Sequence, residues 1–395
     1  MTDFFPYAKQ SINSDDITAV TDILTNGFIT RGPKVTEFEQ AIAEYCGAKF
    51  AVAFNSGSSA LIASGNAAGV SKHDRIITTP NTFVATIAGG WHRGAEPLFI
   101  DIDPATGNID LEELEPNLQF QSLSGRNILM PVHFSGIPVD MEKLDGMIKD
   151  PDTVVIEDAA HALGSSYKDG QKVGCCAWSD MTVFSFHPAK NITSGEGGMV
   201  LTNDETLFKR LQQFRNNGID HEKNNSSEDC GPWFYEVAEV TGNYHMTDIQ
   251  AALGLSQLSR IGDFAKKRRK LMELYRKELK KEKGVSFFEV ENDDQVMYHL
   301  CVLKIDFEKY ETTRVKVMDE LKEKGIGTQV HYIPLYRHPF FTKSHRRIEE
   351  YFPKTEEYYS QALSFPLYYD LSEKDVKMIT KTLKEILKMK SPTKV

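Results

Sequence analysis

Short apolar segments of strand length alternate with helix-length segments through the first half of the chain, and this alternation limits the fold more than any other feature. Phe50–Phe54, Arg75–Thr79, Pro97–Ile100, Ile128–His133, Val154–Ile156, Met181–Phe186 and Met199–Thr202 each carry β-branched or aromatic residues. Helical stretches lie between them, among them a small-residue helix from Ala60 and a helix near 82–93. Strands that alternate with helices form βαβ units, and a parallel sheet covered on both faces explains why the strands read as near-continuous apolar runs. The fold class is α/β, a large domain with a mostly parallel sheet flanked by helices.

Two helices precede the sheet. The first spans 14–26, with Ser14 as N-cap, acids in its first turn and Gly27 ending it. The second runs near 34–46 with Val35, Phe38, Ile42 and Tyr45 on one stripe. The stretch 217–240 is polar and irregular, a length that marks a loop as functional or disordered. A helix Thr247–Leu258 follows. Residues 264–283 then carry ten Lys/Arg against three Glu, with Leu271, Leu274 and Tyr275 on an apolar stripe, which reads as a linking helix with a solvated basic face. Beyond it, a strand (His299–Ile305), a helix (313–324), a strand (Gly327–His331) and a terminal helix (373–389) outline a smaller α+β unit. The expected division is a large domain over 1–260 and a small C-terminal domain over 261–395.

Composition excludes several classes of function. Forty-six Lys/Arg against 56 Asp/Glu leave a net charge of −10, which argues against nucleic acid as a partner. Five scattered cysteines without a C-x-x-C fit a reducing compartment and give no metal signature. The N-terminus lacks a basic segment followed by an apolar one, and no apolar run reaches membrane-spanning length. A cytoplasmic protein without membrane, nucleic-acid or metal partners is expected.

Open parallel sheets bind ligands beyond the carboxyl ends of their strands, and three strand ends here carry chemistry. After Phe50–Phe54, Ser56-Gly-Ser-Ser59 opens a helix, whose free N–H groups and dipole favour a phosphate. The pattern is not G-x-G-x-x-G, so nicotinamide is disfavoured. After Val154–Ile156 come Glu157 and Asp158, and a buried carboxylate there needs either a structural partner or a pyridinium N–H. After Met181–Phe186 comes Lys190, in a segment otherwise free of positive charge, followed by Gly195-Glu-Gly-Gly198 and flanked by Ser185 and His187. Taken alone, a lysine there is better explained by its head reaching water. Desolvation, however, lowers an amine's pKa as imine formation requires. Phosphate cradle, acid and lysine together are the parts a pyridoxal phosphate (PLP) enzyme needs.

The residues resemble a known family, the DegT-type sugar-nucleotide aminotransferases, PLP enzymes of fold type I. The likeness covers essentially the whole chain and is most specific in Ser185-Phe-His-Pro-Ala-Lys-Asn-Ile-Thr-Ser-Gly-Glu-Gly-Gly198, Glu157-Asp-Ala-Ala-His-Ala-Leu-Gly164 and Asn243-Tyr-His-Met-Thr-Asp-Ile-Gln-Ala-Ala-Leu-Gly254. The resemblance implies that Lys190 is the catalytic, cofactor-linking lysine, Asp158 the acid on the pyridine nitrogen and Phe83 the ring-stacking aromatic. It places Ser58, Ser59 and Ser185 on the phosphate. Asn243 matches an asparagine that reaches the neighbouring subunit's phosphate, so a homodimer with shared sites is implied. Relatives that are dehydratases carry histidine at the lysine position; Lys190 favours aminotransfer, with pyridoxamine phosphate (PMP) as the intermediate cofactor form. His245 stands where many members have arginine, and Gly242 where an aromatic is usual.

Within the family, Pro232-Trp-Phe-Tyr-Glu, Gly327-Thr-Gln-Val-His-Tyr-Ile-Pro334 and the lysine motif resemble members of the pseudaminic acid type. These imply a UDP-linked 4-keto-6-deoxy-2-acetamido hexose as acceptor and L-glutamate as donor. His161 either hydrogen-bonds the cofactor near its O3′ or caps the turn after its strand. His187, His331, Arg31 and Tyr7 either meet the substrate or serve structure and surface.

Overall fold

The computed structural model describes residues 4–119, 125–220, 231, 233–342 and 348–388. Its main sheet has seven strands: β1 (Phe50–Phe54), β2 (Arg75–Thr78), β3 (Glu96–Phe99), β4 (Asn127–Leu129), β5 (Val154–Asp158), β6 (Met181–Ser185) and β7 (Gly198–Thr202), in spatial order β1-β7-β6-β5-β4-β2-β3. β7 runs antiparallel to β1 and β6, and the other neighbours are parallel. The α/β expectation holds.

Successive strand residues point to opposite faces, and here each face has its own core. Ile77, Leu129, Val155, Phe184 and Leu201 join one buried cluster. Their chain neighbours Ile76, Ile128, Ile156, Val183 and Val200 join the other. The helices α1 (Ser14–Asn26), α2 (Pro33–Cys46), α3 (Gly57–Ala67), α4 (Ala85–Trp91), α5 (Leu111–Gln119), α6 (Met141–Met147), α7 (Glu205–Arg215) and α8 (Asp248–Leu258) accompany this sheet. A short ladder of β8 (Ile219–Asp220) and β9 (Glu236–Val237) flanks the long loop.

Helix α9 (Ile261–Leu279) straddles two cores. Ile261, Phe264 and Ala265 belong to the sheet's cluster, whereas Leu271, Met272, Tyr275 and Leu279 belong to a separate one. That second core is built on β10 (Val285–Ser286), β11 (Cys301–Ile305) and β12 (Ala362–Phe365), with α10 (Arg314–Glu323), α11 (Pro339–Thr342) and α12 (Pro353–Gln361) between β11 and β12 in the chain and α13 (Glu373–Lys388) after them.

Several local expectations are corrected. The N-cap of α1 is Asn13, not Ser14: its side chain accepts from Asp16 N–H at 3.0 Å, and the Asp16 carboxylate accepts from Asn13 N–H at 3.0 Å. The strand from Ile128 stops at Leu129, because Pro131 has no N–H to continue the ladder. Its carbonyl still accepts from Asp158 N–H at 2.9 Å. Residues 327–331 make only an isolated bridge, Gln329 to Ser364, and the strand beside β11 is β12 instead. The side chain that a strand would have spent on the sheet face, His331, bonds Ser364 Oγ at 2.8 Å, and the next N–H, of Tyr332, turns to Asn81 Oδ1. The basic face of α9 is not wholly solvated either. Arg268 is buried and donates to the carbonyls of Tyr298, His299 and Leu367.

Candidate active site

The site is built where β1, β5 and β6 end. Ser56 caps α3, accepting from Ser59 N–H at 3.1 Å, while the Ser59 hydroxyl returns to Ser56 N–H and donates to Asn55 Oδ1 at 2.7 Å. The Ser59 hydroxyl is therefore spent within the cap, whereas Ser58 is exposed. The N–H groups of Gly57 and Ser58 lie in the first helical turn, where no intrahelical acceptor exists. Ser185, the last residue of β6, packs on this turn: a Cβ on Gly57 would lie 2.9 Å from Ser185 Cβ and 3.0 Å from its Oγ. Gly198 is as tightly placed, because a Cβ there would lie 2.3 Å from the Ser56 carbonyl oxygen. Both glycines let helix and strand ends close into one anion-sized turn.

The two adjacent carboxylates of β5 part company because strand side chains alternate. Glu157 is buried and structural: it receives His133 Nε2 at 2.7 Å, Ser179 Oγ at 2.5 Å, Thr182 Oγ1 at 2.8 Å and the Tyr167 hydroxyl. Burial pushes its carboxyl up, and these donors outweigh it and hold the net value below the ordinary one. Asp158 faces the other way. Thr86 Oγ1 donates to its Oδ2 at 2.6 Å and Ala160 N–H to its Oδ1 at 3.1 Å, and Thr86 is itself linked to Thr82 at 2.6 Å.

Lys190 is half-buried as a residue, with its ammonium deep in protein. Burial pulls its pKa from 10.5 down to about 8, and the attraction of Asp158 works against the fall. Its neighbour Asn191 is fastened from below, donating through Nδ2 to the carbonyls of His161 and Leu163 at 3.2 and 3.0 Å. His161 accepts from Ser135 N–H on Nδ1 at 3.2 Å and pairs through Nε2 with the Tyr332 hydroxyl at 3.0 Å. Burial, then Lys190 and His331, hold His161 far below the usual imidazole range. His331 is buried too, its pKa brought to about 3 by burial and by Lys190.

The remaining sequence candidates divide into two groups. Phe83 presents an exposed ring 6.2 Å from the Tyr332 ring, and Tyr7 lies 5.3 Å from the His331 ring, so both belong to this neighbourhood. His187 is exposed and accepts from Ala189 N–H at 3.1 Å. Arg31 and Asn243 are exposed and meet at Asn216: Arg31 donates to Asn216 Oδ1 at 3.2 Å, and Asn243 bridges Asn216. His245 bonds the same Asn216 oxygen at 3.1 Å and is held at about 4 by burial, Arg215 and Arg31. Pro232 of the long loop lies outside the described residues. A groove of about 500 Å³ lined by Asp140, Trp178 and Glu291 contains none of these residues.

Sequence reasoning missed Thr86, Asn191 and Tyr332. Tyr332 adjoins His331 in a quoted motif, whereas nothing in the order of residues marks Thr86 as a partner of Asp158. The donors present suit PLP: helix-end N–H groups and a hydroxyl for a phosphate, a buried acid for a ring nitrogen, an amine of lowered basicity for an aldehyde. Among the described residues no group of His, Cys, Asp and Glu could hold a metal ion, and no helix is long and apolar enough to cross a membrane.

The model of the DegT/DnrJ/EryC1/StrS aminotransferase family matches residues 10–384. The chain belongs to this family. It is 37% identical over 386 residues to the spore coat polysaccharide biosynthesis protein SpsC of Bacillus subtilis, covering 98% of this chain and 97% of that one. It is 35% identical over 381 residues to the UDP-4-amino-4,6-dideoxy-N-acetyl-beta-L-altrosamine transaminase of Campylobacter jejuni, covering 96% and 97%. Among solved structures it is similar to Helicobacter pylori PseC, an aminotransferase involved in the biosynthesis of pseudoaminic acid, with a TM-score of 0.87 at 27% identity over 98% of this chain and 100% of that one. Solved relatives occur in PLP and PMP forms. The protein is a PLP-dependent sugar aminotransferase.

Proposed function

We propose that the protein moves the amino group of L-glutamate to C4 of a UDP-linked 4-keto-6-deoxy-2-acetamido hexose, in a pathway of the pseudaminic acid type. The observation that carries this reading is Lys190, an amine of lowered pKa facing Asp158 where two buried strands end. The likeness to the altrosamine transaminase supports the sugar. A homodimer with shared sites, in the cytoplasm, completes the proposal. Phe28, Ile29 and Val84 are exposed apolar residues in a single chain, as is Phe83. Asn243 is exposed as well, as a residue that reaches a neighbour's phosphate must be. In this reading residues 1–260 hold the cofactor and 261–395 bring His331 and Tyr332 over it.

Bound PLP supplies an electron sink that stabilises a carbanion at the carbon losing or gaining the amine. Everything else falls to the chain. The N–H groups of Gly57 and Ser58, with the Ser185 hydroxyl, anchor the phosphate at the positive end of α3. Asp158, oriented by the Thr86 hydroxyl and the Ala160 N–H, would hold a proton on the ring nitrogen. Lys190 Nζ, neutral above about pH 8, takes a proton from one carbon and returns it to the next as general base and then acid. Phe83 packs on the ring face. His331 stays neutral at working pH and offers hydrogen bonds to the sugar without adding charge. Arg31, Tyr7 and His187 complete the proposed substrate contacts.

The test is product analysis by mass spectrometry and NMR, using a panel of 4-keto nucleotide sugars with L-glutamate. One 4-amino product of altro-type stereochemistry, formed with 2-oxoglutarate, is expected. Amination of only a different hexose would overturn the sugar assignment, and loss of water without glutamate consumption would overturn aminotransfer.

A further inference from the structure

Two buried polar atoms near Lys190 have no hydrogen-bond partner among the described residues: Asn191 Oδ1, an acceptor, and Arg268 Nε, a donor. Both side chains are otherwise spent. Asn191 Nδ2 donates to the carbonyls of His161 and Leu163, and Arg268 Nη1 to those of Tyr298, His299 and Leu367. Burial brings the Arg268 guanidinium down to about 10. An unmet buried polar atom costs free energy unless a water meets it. Asn191 and Arg268 line one narrow cleft with Lys190, and its volume of about 10 Å³ is the room one water needs. Lys9, Gln10 and Ser11 line the same cleft, and Lys9 and Gln10 are exposed, so it opens to solvent there. Of the residues assigned to cofactor or sugar, Lys190 is the one that lines it. A donor on one side and an acceptor on the other suit water, which both accepts and donates, better than an anion, which Asn191 Oδ1 would repel.

We propose that a water held between Arg268 Nε and Asn191 Oδ1 occupies this cleft and is the path by which Lys190 exchanges protons with solvent while substrate covers the cofactor. This rests on the reading of Lys190 as the general base and acid. Lys190 Nζ, neutral, takes the proton from the α-carbon of glutamate and becomes an ammonium. One proton of that ammonium is traded for one of the water, which passes it outward past Ser11 and leaves the charge unchanged. The ammonium then gives a proton to the cofactor carbon that receives the amine. Arg268 and Asn191 are positioning residues in this scheme, because they act through the water and not on the substrate. The buried charge of Arg268 thereby gains a use at the floor of the site beyond its three carbonyls.

The experiment follows α-deuterated L-glutamate in ordinary water through one turnover of PLP-loaded protein, with mass spectrometry of the PMP formed. An ammonium sealed from solvent would pass its deuteron on in about one case in three, because it holds three equivalent N–H donors. Wild type should retain far less. Arg268→Lys keeps the charge and three donors for the carbonyls but has no Nε. Losing a charged donor loosens the hold on water by about tenfold or more, so the retained fraction should rise several-fold. The lysine-linked absorbance band and the melting temperature serve as controls for folding. Gln10→Trp, at the exposed mouth, should act in the same direction. Independently, a crystal structure of the wild-type protein should show one water within about 3.2 Å of both Arg268 Nε and Asn191 Oδ1. Wild-type retention of about one third, unchanged retention in both variants, or a cleft that holds an anion or no water overturns the inference alone. Glutamate left unconverted by wild type overturns the reading on which it rests as well.

Discussion

At the scale of single residues, the site works by giving chemically similar groups unlike surroundings. Glu157 and Asp158 are neighbours in sequence, and four donors silence the first, while the second is bonded by Thr86 and Ala160 and acts on Lys190. The family motif singled out Asp158 as the acid for the cofactor, whereas the partners of Glu157 were not legible, because they depend on the phase of β5 against the sheet. Replacing Lys190 with Ala should abolish the lysine-linked absorbance band and lower transamination by at least about 10²–10⁴-fold, as loss of a general acid–base group predicts. The wild-type amine, whose pKa is about 8 rather than 10.5, sets a pH dependence with a definite sign. Covalent uptake of PLP by apoprotein needs the neutral amine, so its rate should rise with pH, with a midpoint about 8, and level off above. Asp158 raises the Lys190 pKa against the larger effect of burial, so Asp158→Asn should move that midpoint to lower pH. Stopped-flow absorbance on both proteins checks the direction, and a midpoint near 10.5 in wild type would show that the amine is not desolvated.

At the scale of elements, the site depends on how closely α3 and the ends of β6 and β7 approach. Gly57→Ala would bring a Cβ to 2.9 Å from the Ser185 side chain, which can shift, whereas Gly198→Ala would meet the Ser56 carbonyl at 2.3 Å, which cannot. Overpacking of this kind costs about 1–3 kcal/mol, so both variants should be less stable to urea, Gly198→Ala the more so. Both should also bind PLP more weakly, since the phosphate turn is pushed open; fluorescence titration with PLP gives the comparison. Equal stability and affinity for both variants and wild type would remove the close approach from the account. The seven strands were legible because each sends alternate residues into two separate cores. The segment 327–331 was not, because β-like composition there serves a different end: His331 and Tyr332 are committed to Ser364, Asn81 and His161, contacts between residues far apart in sequence. Arg268 escaped for the same reason, its three carbonyl partners lying 30 to 99 residues away.

At the scale of the molecule, the N-terminal segment is one of several ties between the second core and the helices beside the sheet. Phe5 N–H donates to the Gly325 carbonyl at 2.7 Å and its own carbonyl accepts from Gly327 N–H at 2.8 Å, while Leu367 N–H reaches the Tyr7 carbonyl at 3.0 Å. Farther along, the Ser11 carbonyl accepts from Gln257 Nε2 at 2.8 Å and from Arg260, and buried Asp16 accepts from both of those side chains as well. One extended segment thus ties the strand-and-helix unit that carries His331 to α8 and α9. Each such hydrogen bond contributes about 1 kcal/mol, and the Phe5 and Tyr7 rings add apolar burial, so removal of residues 1–11 should cost about 2–5 kcal/mol without disturbing the seven-stranded sheet. The consequence for the site follows from Tyr7, whose ring covers His331 at 5.3 Å. Burial is the largest cause of the low His331 pKa of about 3. A truncated protein that lets water in should titrate His331 at higher pH, nearer 6.5, so that the imidazole becomes charged in mildly acidic solution. NMR titration of His331 in the full and truncated chains, with limited proteolysis of the second core, reads both effects. A truncated chain with unchanged His331 titration and unchanged protease resistance would show that the second core seats itself on the sheet without the strap.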